Sequence, residues 1–259
     1  MAYKQLKLWF DGALAQLLSD KIKAVNPQFK DTGFTSFIDE QVQDLELKAR
    51  VELIADELYE RLGSNYPNCI NTLLQILGPE NEAETGMFKI YYWVMPIAKI
   101  VEKYGLNEYE LSIKAIEEIT KRNTGEYTIR PFLTKETNRT LEVMLKWATD
   151  SNKHVRRLAS EGVRPRLPWA SKLEMFITDP SPIFPILDQL KDDPSKYVQK
   201  SVANCINDVL KDNLEAGKEL IEGWTQTKVG KERKWIIKHA LRNLIKVKDE
   251  WAIQQLDKV

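Results

Sequence analysis

Cysteine and histidine are scarce in this chain of 259 residues, which holds two of each. Cys69 and Cys205 stand far apart in apolar, helix-like surroundings, which argues against a disulfide framework and for a reducing compartment. His154 and His239 are isolated, and no His-x-x-x-His, Cys-x-x-Cys or acidic cluster offers metal-ligand spacing, so no metal is expected. Glycine-rich phosphate loops and nucleophile signatures are missing, and no cofactor is implied. No segment approaches the roughly 18 apolar residues of a membrane span. The opening MAYKQLKLWFDG lacks a basic stretch followed by a long apolar run, so neither secretion nor membrane insertion is expected and the cytoplasm is the expected location. Net charge is absent as well: 38 basic residues cancel 38 acidic ones. Total charge alone would argue against a nucleic-acid partner.

The cancellation is regional. Between Lys153 and Lys172 six basic residues face one acid, Glu161, and between Lys228 and Lys248 eight face Glu232, whereas Asp39 to Glu60 holds eight acids against Lys48 and Arg50. One face can therefore attract phosphates, although any single charge run is also compatible with a solvated helix face.

What is abundant is helical periodicity. Apolar residues recur at intervals of three and four in LELKARVELIADELYERL (45–62) and YELSIKAIEEITKR (109–122), and alternating strand patterns are missing. Breakers fall between such segments, at Gly63, Pro67, Gly78, Pro79, Gly105 and Pro194. The pattern predicts an all-α fold. In the C-terminal half HVRRLAS (154–160) is echoed by YVQKSVA (197–203) and more loosely by WIIKHAL (235–241), at spacings of 43 and 38 residues. Those periods suit helix-pair repeats of the HEAT kind, stacked as an α-solenoid. Equivalent positions then carry Arg157, Lys200 and Lys238, a row of cations at the repeat spacing that fits a polyanionic backbone along a concave face. Repeat scaffolds also bind proteins, so a protein-interaction scaffold stays open.

The densest segment is SNKHVRRLASEGVRPRLPW (151–169). Asn152 or Ser151 can cap a helix that Gly162 ends, and Pro165 and Pro168 then impose an extended loop bearing Arg164, Arg166 and Trp169. The arginines are candidates to grip phosphates and the indole to stack on a base or sugar; alternatively Trp169 anchors the core and the arginines pair with acids. His154, Arg156 and Arg130 join the candidate DNA-contacting set. Glu161 shares a helix face with Arg157 four residues earlier, and Glu126 and Arg130 repeat that spacing. Spacing alone does not separate a surface ion pair from a catalytic carboxylate, and Asp208 is equally open.

Residues 151–169 closely resemble the signature of the AlkC group of bacterial DNA alkylation repair glycosylases, a branch of the AlkD-like, HEAT-like repeat proteins. The resemblance extends in order through LELKAR, YYWVMPIAKIVEKYGLNEYELS (91–112), EEITKRNTGEYTIRPFL (117–133) and YVQKSVANCINDVLKDN (197–213). It implies a single HEAT-like glycosylase domain over 1–259, with a helical N-terminal part to about 85 and repeats from about 86. It implies an enzyme that removes cationic alkylated bases, chiefly N3-methyladenine with N3-methylcytosine in some members, from double-stranded DNA; no lysine is placed for Schiff-base lyase chemistry, so a monofunctional enzyme is expected, and a solenoid can bind a duplex as a monomer. Glu161 and Glu126 would be the active-site carboxylates, Asp208 a third acid, Arg157 a supporting cation and Trp169 an aromatic contact. Some members carry a C-terminal immunoglobulin-like domain, which this sequence is expected to lack. A non-catalytic HEAT-repeat protein that binds distorted or branched DNA is the alternative.

Overall fold

Short polar side chains set the helix starts. Asp11, Asn65, Asn152, Ser195 and Asp249 each occupy an N-cap and accept a backbone N–H from the first turn. In a computed structural model describing residues 4–258, every regular element is helical among the described residues. The chain divides into two compact units, 1–129 and 130–259.

The first unit holds α1 (Gly12–Val25), α2 (Phe34–Gln41), α3 (Leu47–Arg61), α4 (Tyr66–Gln75), α5 (Met95–Tyr104) and α6 (Tyr109–Thr120). Two of these realise the most periodic stretches, and Pro67 sits within the first turn of α4, where a missing N–H costs nothing. Helices α1 with α2, and α3 with α5, pack most closely. Their apolar stripes bury Leu14, Leu18, Ile22, Ile38, Ile54, Leu58, Ile97 and Val101. Gly105 closes α5 where a Cβ would lie 2.5 Å from Ser112 Oγ and 2.6 Å from Tyr66 Oη. Those two hydroxyls are already bonded at 2.7 Å, so the site has no room for a methyl group.

The second unit holds α7 (Arg130–Lys135), α8 (Thr137–Trp147), α9 (Lys153–Gly162), α10 (Glu174–Thr178), α11 (Phe184–Leu190), α12 (Lys196–Asp212), α13 (Leu214–Thr225), α14 (Lys231–Ala240), α15 (Arg242–Lys246) and α16 (Glu250–Asp257). The helix pairs α8–α9, α11–α12 and α13–α14 realise the sequence repeat. Val155, Val198 and Ile236, the aligned apolar positions, are all fully buried, and α12 lies between α9 and α14 and packs on both. Between repeats an aspartate before one second helix holds an arginine of another. Asp193 takes Arg156 Nε at 2.6 Å, and Asp192 takes Arg233. No helix among the described residues is long and apolar enough to cross a membrane.

Candidate active site

Two polar stripes interlock in the second unit. On α9 and the turn after it, Arg157, Glu161 and Arg164 follow one another at four and three residues and so share a side. On α12, Ser201, Cys205, Asp208 and Asp212 do the same. Arg164 spans the two, donating from Nη1 to Glu161 Oε1 at 2.8 Å and from Nε to Asp208 Oδ2 at 2.9 Å. Arg157 Nη2 lies 3.3 Å from the same Glu161 oxygen. Ser201 Oγ donates to Glu161 Oε2 at 2.6 Å and accepts from Ser160 Oγ at 2.7 Å. Lys211 Nζ stands 3.6 Å from Asp208 Oδ1, and Arg166 forms a two-pronged bond to Asp212 at 2.7 and 2.6 Å.

Glu161 is only 5% exposed. Burial opposes its ionisation, yet the charges of Arg157 and Arg164 and the Ser201 hydroxyl outweigh that cost and hold the carboxyl below its usual range. It is therefore an anion at neutral pH, fixed by its neighbours. Arg164 is held more firmly protonated than a free guanidinium against the cost of its own burial, by Glu161 and Asp208. Cys205 is fully buried, and burial with the nearby Asp208 pushes its thiol up.

Past Gly162 the chain leaves the helix, as the two prolines require. Arg130, at the start of α7, is buried against this loop, its Nη1 donating to the carbonyls of Gly162 (3.2 Å) and Arg164 (2.9 Å) and its Nη2 to that of Ser171 (2.5 Å). The loop carries Trp169 at φ +66°, with its side chain 80% exposed. A bulky residue at positive φ is strained by about 1–2 kcal/mol, and an indole that well hydrated is no core anchor. Arg130→Ala is expected to leave three carbonyls without their charged donor. Amide exchange over 163–173 should then rise sharply while α8 keeps its protection; unchanged exchange in the loop would remove the stapling role.

The sequence-derived set is thus distributed. Glu161, Arg157, Arg164 and Asp208 form one network, and Arg166 and Trp169 lie on the adjoining loop. Glu126 belongs to the first unit, buried in the turn after α6, where Thr124 Oγ1 donates to its Oε2 at 2.9 Å. Lys200 and Lys238 are exposed on α12 and α14. Three further candidates are engaged within the protein. Arg156 is bound to Asp193 and to the carbonyls of Asp150 and Ser151, Arg130 faces backbone carbonyls, and His154 is buried with its ring against Tyr197. In this structure all three are turned into the protein. The cation excess over 153–172 is likewise offset by Asp193, Asp208 and Asp212, acids remote in sequence. Ser160 and Ser201, which complete the Glu161 shell, were missed by the sequence reading; the alignment of Ser201 with Asp208 on one side of α12 is the signal that could have found Ser201.

A family model described as DNA alkylation repair enzyme matches residues 92–244. Uncharacterized protein YhaZ of Bacillus subtilis (strain 168) is 38% identical over 242 residues, covering 92% of this chain and 65% of that protein. The chain thus spans just under two thirds of the length of that relative. Among solved structures, Pseudomonas fluorescens alkylpurine DNA glycosylase AlkC bound to DNA containing an abasic site analog matches with a TM-score of 0.88 and 34% identity, over 98% of this chain and 69% of that one.

Proposed function

Since this chain belongs to the DNA alkylation repair enzyme family, we propose that it is a monofunctional DNA glycosylase, hydrolysing the N-glycosidic bond of cationic alkylated bases in double-stranded DNA. The observation that carries this reading is Glu161, a buried carboxylate kept ionised by Arg157 and Arg164 and oriented by Ser201. Alkylation at N3 makes the purine a cation and a good leaving group, so no strong general acid is needed. What is needed is negative charge to stabilise the oxocarbenium-like sugar and to direct water to its anomeric carbon, as in glycoside hydrolysis. Glu161 and Glu126 are assigned these roles, with Asp208 holding Arg164 in place. N3-methyladenine is the chief substrate and N3-methylcytosine a second. Both units serve this one activity, and the protein acts as a monomer in the bacterial cytoplasm.

Trp169 supplies an aromatic face toward the cationic base or sugar. A cation–π contact of about 0.5–2 kcal/mol translates to about a 2- to 30-fold rate loss in Trp169→Gly. Stability should hold or rise slightly because glycine tolerates the positive φ. A variant that loses fold and activity together would contradict this assignment.

The deciding experiment is chromatography of bases freed from DNA treated with a simple methylating agent, beside uracil-containing DNA. Release of N3-methyladenine, intact strands and no uracil support the reading. Salt-sensitive DNA binding without any base release would instead establish the non-catalytic binder of distorted DNA.

A further inference from the structure

Most arginines of the second unit's ladder are matched by carboxylates; the cations where α12, α14 and α15 meet are not. Lys196 and Lys200 stand one turn apart on α12 and are exposed, and Arg242 opens α15. None of the three has a carboxylate within ion-pair distance among the described residues. Arg242 instead donates to neutral oxygens, the carbonyl of His239 at 2.7 Å and Asn204 Oδ1 at 3.0 Å. That fixes the guanidinium while leaving its charge uncompensated.

His239 sits among these groups, half-buried on α14. Its ring stacks on Trp235 with centroids 4.8 Å apart and planes at 12°, and Lys196 Nζ lies 3.5 Å over the Trp235 ring. Three cations act on the imidazole, Arg242 from α15 and Lys200 and Lys196 from α12, and no acid is among the groups that do. The nearest acidic influences fall on neighbours, Glu232 on Lys196 and Asp208 on Arg242. Burial first, then these cations, hold the free imidazole below its usual range. The cluster has a fixed hydrogen-bond donor, a flexible ammonium group, a stacked ring and no counter-charge.

We propose that Lys200, His239 and Arg242 form a phosphodiester-binding site at the junction of α12, α14 and α15, and that His239 binds there in its protonated form. The choice of DNA backbone as the occupant rests on the glycosylase reading; the chemistry is that of a phosphate anion. A phosphate beside the ring reverses the local field, so the imidazole titrates higher in the complex than in the free protein. The complex therefore takes up a proton. Its affinity rises as pH falls through the interval between the two values and levels off on either side, with a limiting slope of about tenfold per pH unit for one proton. Glu161 stays ionised above the carboxylate range and contributes nothing to this slope.

Two measurements test the site. Anisotropy of a labelled undamaged duplex, at fixed ionic strength between pH 8 and 5.5, should show Kd decreasing as the pH is lowered for the wild type and a flat response for His239→Gln. Imidazole titration of the wild type by NMR should show the His239 midpoint raised by the duplex; inorganic phosphate alone producing the same rise would identify a free-anion site and overturn the DNA assignment. The second measurement stands even if the variant folds poorly, since the chain has only His154 beside it. Equal slopes in both proteins, or a midpoint that the duplex does not move, would overturn the site. Base release with no pH-linked binding would leave the glycosylase and remove this site. A raised midpoint with no base release would do the reverse.

Discussion

Replacing Glu161 by Gln is expected to lower single-turnover base release from methylated DNA by about 10²- to 10³-fold, the usual effect of removing one preorganised electrostatic contact to a charged transition state. Gln keeps the shape and can still accept from Arg164 through its one amide oxygen, with the Ser201 hydroxyl turned to accept from its N–H, but it no longer carries the negative charge that the proposed mechanism needs. Duplex affinity should change little, because the residue is buried and its charge is already directed to two arginines. The same network predicts the acid limb. Wild-type release should be level through neutral and mildly acidic pH and fall only below the ordinary glutamate value of 4.5, since Glu161 is held lower than that. Undiminished release by Glu161→Gln, measured below its unfolding temperature, would take the catalytic role away from this carboxylate.

The largest stability effect is expected at Arg164. This guanidinium is the shared partner of two buried carboxylates, and Arg164→Ala leaves Asp208 with only the more exposed Lys211 and Glu161 with Arg157. Breaking a buried pair by deleting one partner typically costs about 3–5 kcal/mol, mainly because the remaining charge stays desolvated. Urea denaturation should show a loss of that order at pH 7. The sign of its pH dependence is fixed. A depressed carboxyl contributes stability above its unfolded value and loses it as pH falls through the folded one, so wild-type stability drops in acid. The variant lacks much of that contribution, and the gap between the two should narrow below about pH 4.5. A gap that stays the same from pH 7 down through the acid range would mean that Arg164 acts through packing alone.

The fold was largely legible because its signal is local. Helix caps and three-and-four periodicity lie within one helix, and the echo of Val155 in Val198 and Ile236 recurs at a near-constant spacing that can be read directly along the chain. The carboxylates themselves were legible only through a likeness to other sequences: Glu161 beside Arg157 has the spacing of any surface ion pair. What the linear reading lacked were partners 40 to 46 positions away, such as Ser201 for Glu161, Asp208 for Arg164 and Asp212 for Arg166. Counting charges along the chain therefore overstated the basic character of 153–172, whose arginines meet acids remote in sequence, whereas at the α12–α14–α15 junction Lys196, Lys200 and Arg242 have no carboxylate within ion-pair distance among the described residues. Trp169 stayed ambiguous for a similar reason, since a tryptophan between prolines reads equally as an anchor or as a probe until its surroundings are known.

The two cysteines have a consequence for the proposed activity, which would be needed where methylating agents are present. A thiolate is the most readily alkylated group a protein can offer, and its abundance is set by access and acidity. Cys69 and Cys205 are both fully buried, and burial raises both thiols, that of Cys69 to about 12. Neither presents a thiolate at neutral pH, so electrophilic methylating agents find little to react with at these positions, and a glycosylase of the kind proposed could outlast the exposure that creates its substrate.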